Sequence, residues 1–381
     1  MLARVTPATL DLSRDVALLT ADLIDIESVS GNERTIADGV EAALRALPGL
    51  TVTRNGDAVV ARSELGLAER VILAGHLDTV PLPATEGSRG TVPSSWEREP
   101  GTGTLWGRGA TDMKGGVAVQ LALAAALFGG HRADDGDAKP TRDVTFVFYD
   151  HEEVEAAKSG LGRLARENPE LLAGDFAILL EPTAGTVEGG CNGTLRIEAS
   201  TVGEAAHSAR AWMGRNAIHA AAPILARLAD YEPATVSVEG LDYRESLNAV
   251  RISGGTAGNI IPDRCTVEIN YRFAPSKTLD QAEEHVRELL AGFEVVRTDG
   301  APGARPGLTH PAAAAFVAVV GREPKPKYGW TDVARFSELG VPAVNFGPGD
   351  ALLAHKDDER VAADDVRACF RALRSWLSAK S

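Results

Sequence analysis

Cysteine is nearly missing from the chain: three in 381 residues, at Cys191, Cys265 and Cys369. So few, odd in number and far apart, they make neither a disulfide framework nor a cysteine-based zinc site, and they fit a reducing compartment. Long apolar runs are missing too. The longest, around Val117 to Phe128, is broken by Gln120, rich in alanine and too short to span a bilayer, so no membrane partner is expected. The opening stretch, MLARVTPATLDLSRD, has no apolar core of a secretory signal, and a cytoplasmic location is expected. Positive charge is in deficit: 39 Lys and Arg against 53 Asp and Glu give a formal net charge of -14. That excludes a nucleic-acid partner, which needs a basic face, but not an acidic small molecule met by a few concentrated cations.

What is present is an ordinary globular balance, 44% hydrophobic and 24% charged, in a chain too long for one core. Leu18, Leu19, Leu23, Ile24 and Ile26 recur at helical spacing. Val71 to Ala74, Val144 to Tyr149 and Phe176 to Leu180 read as buried strands, and a helix is predicted from Gly115-Gly116 to Phe128. The segment Gly129 to Arg142, rich in Gly, Asp, Lys and Pro, reads as a surface loop. Strands separated by helices predict an α/β domain with a mostly parallel sheet flanked by helices. After Pro182 the pattern changes to alternating strands, Leu195 to Val202, Ala249 to Ser253 and Cys265 to Phe273, with helices at Arg215 to Leu228 and Leu279 to Leu290. Helix and strand then resume with Ala312 to Val320, Val341 to Phe346 and Asp364 to Leu377. The expected organisation is a discontinuous catalytic domain, 1–182 and 295–381, interrupted by an α+β dimerisation or lid domain, 183–294.

Five segments carry candidate chemistry. Gly75-His76-Leu77-Asp78 follows a strand, where α/β sheets place ligands; His76 offers a ring nitrogen to a metal and Asp78 can fix its tautomer. A turn with a capping Asp is the plain alternative. Gly107-Arg108-Gly109-Ala110-Thr111-Asp112-Met113-Lys114-Gly115-Gly116 surrounds one carboxylate with four glycines before a helix, either as a cation bridge or as an N-cap, and it matches neither phosphate-loop spacing. His151-Glu152-Glu153 puts two acids at the end of a buried strand, a costly placement unless they face a cation or a proton-transfer task. Glu181-Pro182 is again a carboxylate at a strand end, and Leu353-Ala354-His355-Lys356-Asp357-Asp358-Glu359 follows a Gly-Pro-Gly turn. Two His and several carboxylates without Cys suit a pair of zinc, cobalt or manganese ions.

In conjunction and in this order, these segments resemble the co-catalytic metallopeptidase family that includes aminoacylase, acetylornithine deacetylase and carboxypeptidase G, over nearly the whole chain. The resemblance implies two divalent ions per subunit, zinc first among the expected metals. His76 and Glu181 would hold one ion, Glu153 and His355 the other, and Asp112 would bridge. Glu152 would be the general base, Asp78 the partner of His76, and Asp112-Met113 a cis peptide. It implies a homodimer, with His207 of the Gly203-Glu204-Ala205-Ala206-His207-Ser208-Ala209 segment reaching into the partner's site. Gly258-Asn259-Ile260-Ile261-Pro262, Tyr271-Arg272-Phe273 and Gly329-Trp330-Thr331-Asp332 resemble substrate-binding segments, so Asn259, Arg272, Thr331 and also Arg210 are candidates for the substrate.

Within the family, YDHEEVEAAKSGLGRL, LLEPTAGTVEGGCNG and NIIPDRCTVEINYRFAPS most resemble the actinobacterial-type desuccinylase branch. That implies an N-acylated amino acid as substrate, N-succinyl-LL-diaminopimelate, split to succinate and LL-diaminopimelate in lysine and cell-wall precursor synthesis. A deacetylase or carboxypeptidase on the same scaffold is the alternative enzyme, and an inactive metal-binding scaffold the alternative of another class. No role is assigned to His131, His151, His219, His285 or His310; His131 and His285 read as solvated and His219 as packing.

Overall fold

The computed structural model describes residues 10–129 and 139–379; His131 lies outside them. The chain divides into two compact units. The larger runs to Gly189 and resumes over Gly307–Lys325 and from Arg335, and the smaller comprises Gly190–Pro306 and Pro326–Ala334.

In the larger unit, apolar runs of β-branched and aromatic residues make the strands Arg70–His76, Asp143–Tyr149 and Phe176–Leu179, nearly every residue of which is buried. Strands buried on both faces need helices on both sides of them, and their continuous hydrophobicity is the mark of a parallel core. Arg70–His76 pairs in parallel with Asp143–Tyr149 and with Phe176–Leu179, and the latter pairs in parallel with Ala343–Asn345. The sheet is mixed at its margins: Ala58–Arg62 joins Asp143–Tyr149 antiparallel, Thr51–Asn55 extends it as a hairpin, and Glu188–Gly189 runs antiparallel to Ala343–Asn345. Helix Lys114–Phe128 packs on Arg70–His76 and against helices Val16–Ile24 and Ala363–Leu377. The registers His76↔Tyr149 and Ala74↔Leu179 bring the C-terminal ends of three central strands to one edge.

The smaller unit is one antiparallel sheet in the order Ser246–Gly254, Arg264–Phe273, Gly193–Val202, Glu294–Ala301. Leu195, Ile197, Ala199, Val267 and Ile269 alternate onto one face, where Ile224, Leu228, Ala282 and Val286 of helices Ala222–Ala229 and Leu279–Leu289 cover them. The second helix begins in a capping box between Thr278 and Gln281.

Three expectations are corrected. The smaller unit begins at Gly190 and runs to Pro306, not over 183–294, because Glu294–Ala301 pairs with Gly193–Val202 as the sheet's fourth strand. It also takes back Pro326–Ala334. The helix expected over Arg215 to Leu228 is two, Ala217–Ala220 and Ala222–Ala229, the second with a proline in its first turn.

Candidate metal centre

Each central strand delivers functional side chains at or just past its end. His76 closes the first strand and is 1% exposed. Its Nδ1 lies 3.0 Å from the carbonyl oxygen of Asp78. A carbonyl only accepts, so this contact puts a proton on Nδ1, and the ring's Nε2 edge faces Asp112 Oδ1 at 3.1 Å. The Asp78 carboxylate lies 3.5 Å from that ring and also serves the neighbouring turn. Its two oxygens accept Glu152 N at 3.0 Å, Glu153 N at 3.1 Å and Ser30 Oγ at 2.6 Å. Burial opposes the charge, but His76 first, then Ser30 and the Glu152 amide, hold its carboxyl down at about 2.

Asp112 sits in the glycine-rich loop. Gly116, in the first turn of the helix that follows, is fixed by close approach: a Cβ there would lie 2.2 Å from the carbonyl of Leu180. The Asp112-Met113 peptide is cis. One oxygen of Glu359 accepts the amides of Thr111 and Asp112, both at 3.0 Å, while the other meets Arg108 Nη1 at 2.8 Å. Beside them Lys114 is buried, its Nζ donating to the carbonyl of Ile26 at 2.7 Å, and burial pushes its pKa down to about 7. Glu359, Arg108 and Lys114 were not singled out in the sequence; three ionisable residues within a glycine-rich loop and a ligand segment were the available signal.

His355 turns in from a left-handed residue, φ 63°, with Nε2 3.0 Å from Glu153 Oε1 and 3.3 Å from Asp112 Oδ2. Contacts with those two carboxylates raise its pKa to about 10 against partial burial. Burial disfavours a charged His76, yet Asp112 and Asp78 raise its pKa well above the ordinary value. Asp112 is held far below the carboxylate range by both imidazoles, again against burial. Protons on the rings thus stand where positive charge is needed, among clustered carboxylates. Donor atoms of His76, Asp112 and Glu181 lie within 4.8 Å of one another, as do those of Asp112, Glu153 and His355. Two nitrogen-and-oxygen trios sharing one carboxylate fit a pair of divalent cations. A third close set, His76, Glu152 and Glu153, brings Glu152 beside them.

A sequence profile of the peptidase family M20/M25/M40 matches residues 72–379. The chain belongs to this family. Among its members, the succinyl-diaminopimelate desuccinylase of Corynebacterium glutamicum is 45% identical, over 97% of this chain and 98% of that protein. A Mycobacterium tuberculosis protein assigned the same activity is 52% identical, over 97% of this chain and 99% of that one. Solved structures share the fold at low identity. A Staphylococcus aureus tripeptidase superposes with a TM-score of 0.73 at 20% identity, covering 96% of this chain and 98% of that one. A dinuclear metal-binding peptidase of Bacillus subtilis gives 0.69 at 18%, covering 96% and 98%.

The remaining candidates belong to the smaller unit. His207 is exposed, in a short strand facing Ile260, its Nδ1 accepting Ala209 N at 3.1 Å. The carbonyl of Asn259 accepts Ser208 N at 2.8 Å, so these two segments are neighbours, and exposed Arg210 follows in the Ser208–Met213 turn. Arg272 is half-buried on its strand, donating from Nε to Asn270 Oδ1 at 3.2 Å. Thr331 is buried, its carbonyl accepting the thiol of Cys191 at 3.7 Å. Two bland readings are corrected: His219 is exposed rather than packed, and His285 is half-buried between Tyr231 and Tyr271.

Proposed function

We propose that the chain hydrolyses N-succinyl-LL-diaminopimelate to succinate and LL-diaminopimelate. The observation that carries the reading is the pair of ligand trios meeting at Asp112, in a chain 45% identical end to end to a desuccinylase. His76 and Glu181 would hold one ion and Glu153 and His355 the other, with Asp112 shared by both sets and zinc the expected metal. Such ions supply Lewis acidity to the amide carbonyl and make water acidic enough to attack near neutral pH.

Glu152 does the proton work. Its neighbour Glu153 meets His355, and Glu152, beside His76 and Glu153, takes a proton from the attacking water and returns it to the leaving amine as the C–N bond breaks. Asp78 fixes the backbone of both residues, so base and ligand are held in one register. His207, from a partner subunit, donates to the developing oxyanion, and loss of one such donor typically costs about 10²–10³ in rate. Arg272, Asn259, Arg210 and Thr331 receive the substrate's carboxylates.

A homodimer through the smaller unit is supported by its long edge strand Ser246–Gly254, which leaves Val250 and Ile252 half exposed. No helix among the described residues is long and apolar enough to cross a membrane, and a cytoplasmic setting is part of the proposal. The test is a panel of succinyl, acetyl and glutamyl amides with metal-loaded protein. Turnover confined to acetyl or peptide substrates would redirect the reading to a deacetylase or carboxypeptidase.

A further inference from the structure

Three consecutive backbone amides, those of His151, Glu152 and Glu153, point at two buried carboxylates. Glu152 N and Glu153 N go to Asp78, and His151 N donates to Glu33 Oε1 at 3.2 Å. The row exists because His151 is left-handed, φ 58°, which turns successive N–H groups to one side and makes a concave anion-accepting turn. A non-glycine residue pays roughly 1–2 kcal/mol for that conformation, so something must hold it.

Glu33 stands at the start of helix Arg34–Arg45 and is 1% exposed. Its other oxygen accepts Gly31 N at 2.9 Å. The ring of His151 is gripped on the same side: its Nδ1 lies 3.3 Å from Glu33 Oε1 and 2.8 Å from Asp150 Oδ2, and Asp150 is anchored by Arg163 at 2.6 Å. Ser30, three residues before Glu33, donates to Asp78. The loop Ser30 to Glu33 therefore braces the turn from behind at two points, once directly and once through Asp78. Without the Glu33 carboxylate the His151 amide loses its acceptor and the left-handed turn loses one of its restraints. Relaxation at residue 151 would redirect the two side chains that follow, and a misplacement of about 1 Å can cost on the order of 10²-fold in rate.

We propose that Glu33 is a positioning residue: its carboxylate locks the turn at His151 so that Glu152 and Glu153 leave it in the directions that proton transfer and ion binding require. This rests on the assignment of Glu152 as base and Glu153 as ion ligand. The experiment is Glu33→Ala in the full chain, which removes both acceptor oxygens, with zinc titrated into metal-free protein by calorimetry and steady-state kinetics on the reloaded enzyme. The second zinc equivalent should bind about 10-fold or more weakly while the first is unchanged, the size of effect that a residue behind a ligand has. The kcat should fall about 10–100-fold with KM within about threefold, the signature of a group acting after binding. Wild-type affinity for the second ion with wild-type kcat overturns the proposal, and so does equal weakening of both ions, which marks general loss of structure.

Should Glu33→Ala not fold, amide hydrogen exchange on the wild-type protein decides. The His151 amide should exchange at least about 100-fold more slowly than exposed loop amides, and free exchange there overturns the proposal. If wild-type protein binds no zinc at all, the two-ion reading fails, while the exchange result still tells whether Glu33 holds the turn.

Discussion

Glu359 holds Asp112 by its backbone: one carboxylate oxygen accepts the Asp112 amide at 3.0 Å and the Thr111 amide at the same distance. The Asp112 backbone is thus held from behind by a second acid, 1% exposed and paired with Arg108 at 2.8 Å. The site is built in two layers, with Asp112, His76 and Glu153 as proposed ion ligands and Glu359, Asp78 and Glu33 accepting backbone amides around them.

Glu359→Ala removes one partner of that buried pair and leaves the Arg108 guanidinium without its counter-charge. A loss of about 3–5 kcal/mol in unfolding free energy is expected from denaturant titration. A change below about 1 kcal/mol would mean that the pair is solvated in the protein.

Glu152→Ala and Glu153→Ala should separate base from ligand. The first is expected to abolish turnover with both ions retained, the second to lower metal content, measured by atomic emission on dialysed protein. The opposite pattern would exchange the two assignments.

Asp143 gives a pH signature away from the site. Its carboxylate accepts Ser63 Oγ at 2.6 Å, Leu65 N at 2.8 Å and Leu67 N at 3.0 Å. Burial opposes ionisation, but these donors and Arg70 outweigh it and lower the pKa. A carboxyl with a depressed folded pKa stabilises the fold above its unfolded value, about 3.9, and loses that contribution as pH falls through the folded value. Asp143→Asn should therefore cost about 1–3 kcal/mol at neutral pH, a gap that narrows below about pH 4. A gap independent of pH would contradict it.

His207→Ala and Glu152→Ala should each be nearly inactive as homodimers. After subunit exchange, about a quarter of the sites should recover, since a mixed dimer holds one doubly defective site and one intact site when the residue is supplied in trans. Demonstrated exchange without recovery would place His207 outside the partner's chemistry.

Much of this was legible in the chain. Apolar strands ending in His76, His151-Glu152-Glu153 and Glu181 carry their own signal, because a buried strand followed at once by ionisable groups is costly without a task. The hairpin Thr51–Asn55 to Ala58–Arg62 went unread although Asn55-Gly56 marks it, with Gly56 at φ 60°. The strand Glu294–Ala301 went unread for a different reason. It is an edge with most of its side chains exposed, so it lacks the apolar alternation that betrays a strand with one buried face. The supporting acids were illegible for a third reason. Glu33 and Glu359 act on backbone amides more than a hundred residues away, in the case of Glu33 at His151, and such pairings follow from the fold rather than from local spacing.

The most direct test of the central claim is turnover of N-succinyl-LL-diaminopimelate by the purified chain, before and after exhaustive chelation and again after zinc is restored. The expected result is release of succinate by the metal-loaded protein, with kcat/KM at least on the order of 100-fold above that for acetylated or peptide analogues, loss of activity on chelation and its return with zinc. Full activity in the metal-free protein, or no cleavage of the succinyl amide when both ions are bound, would contradict it.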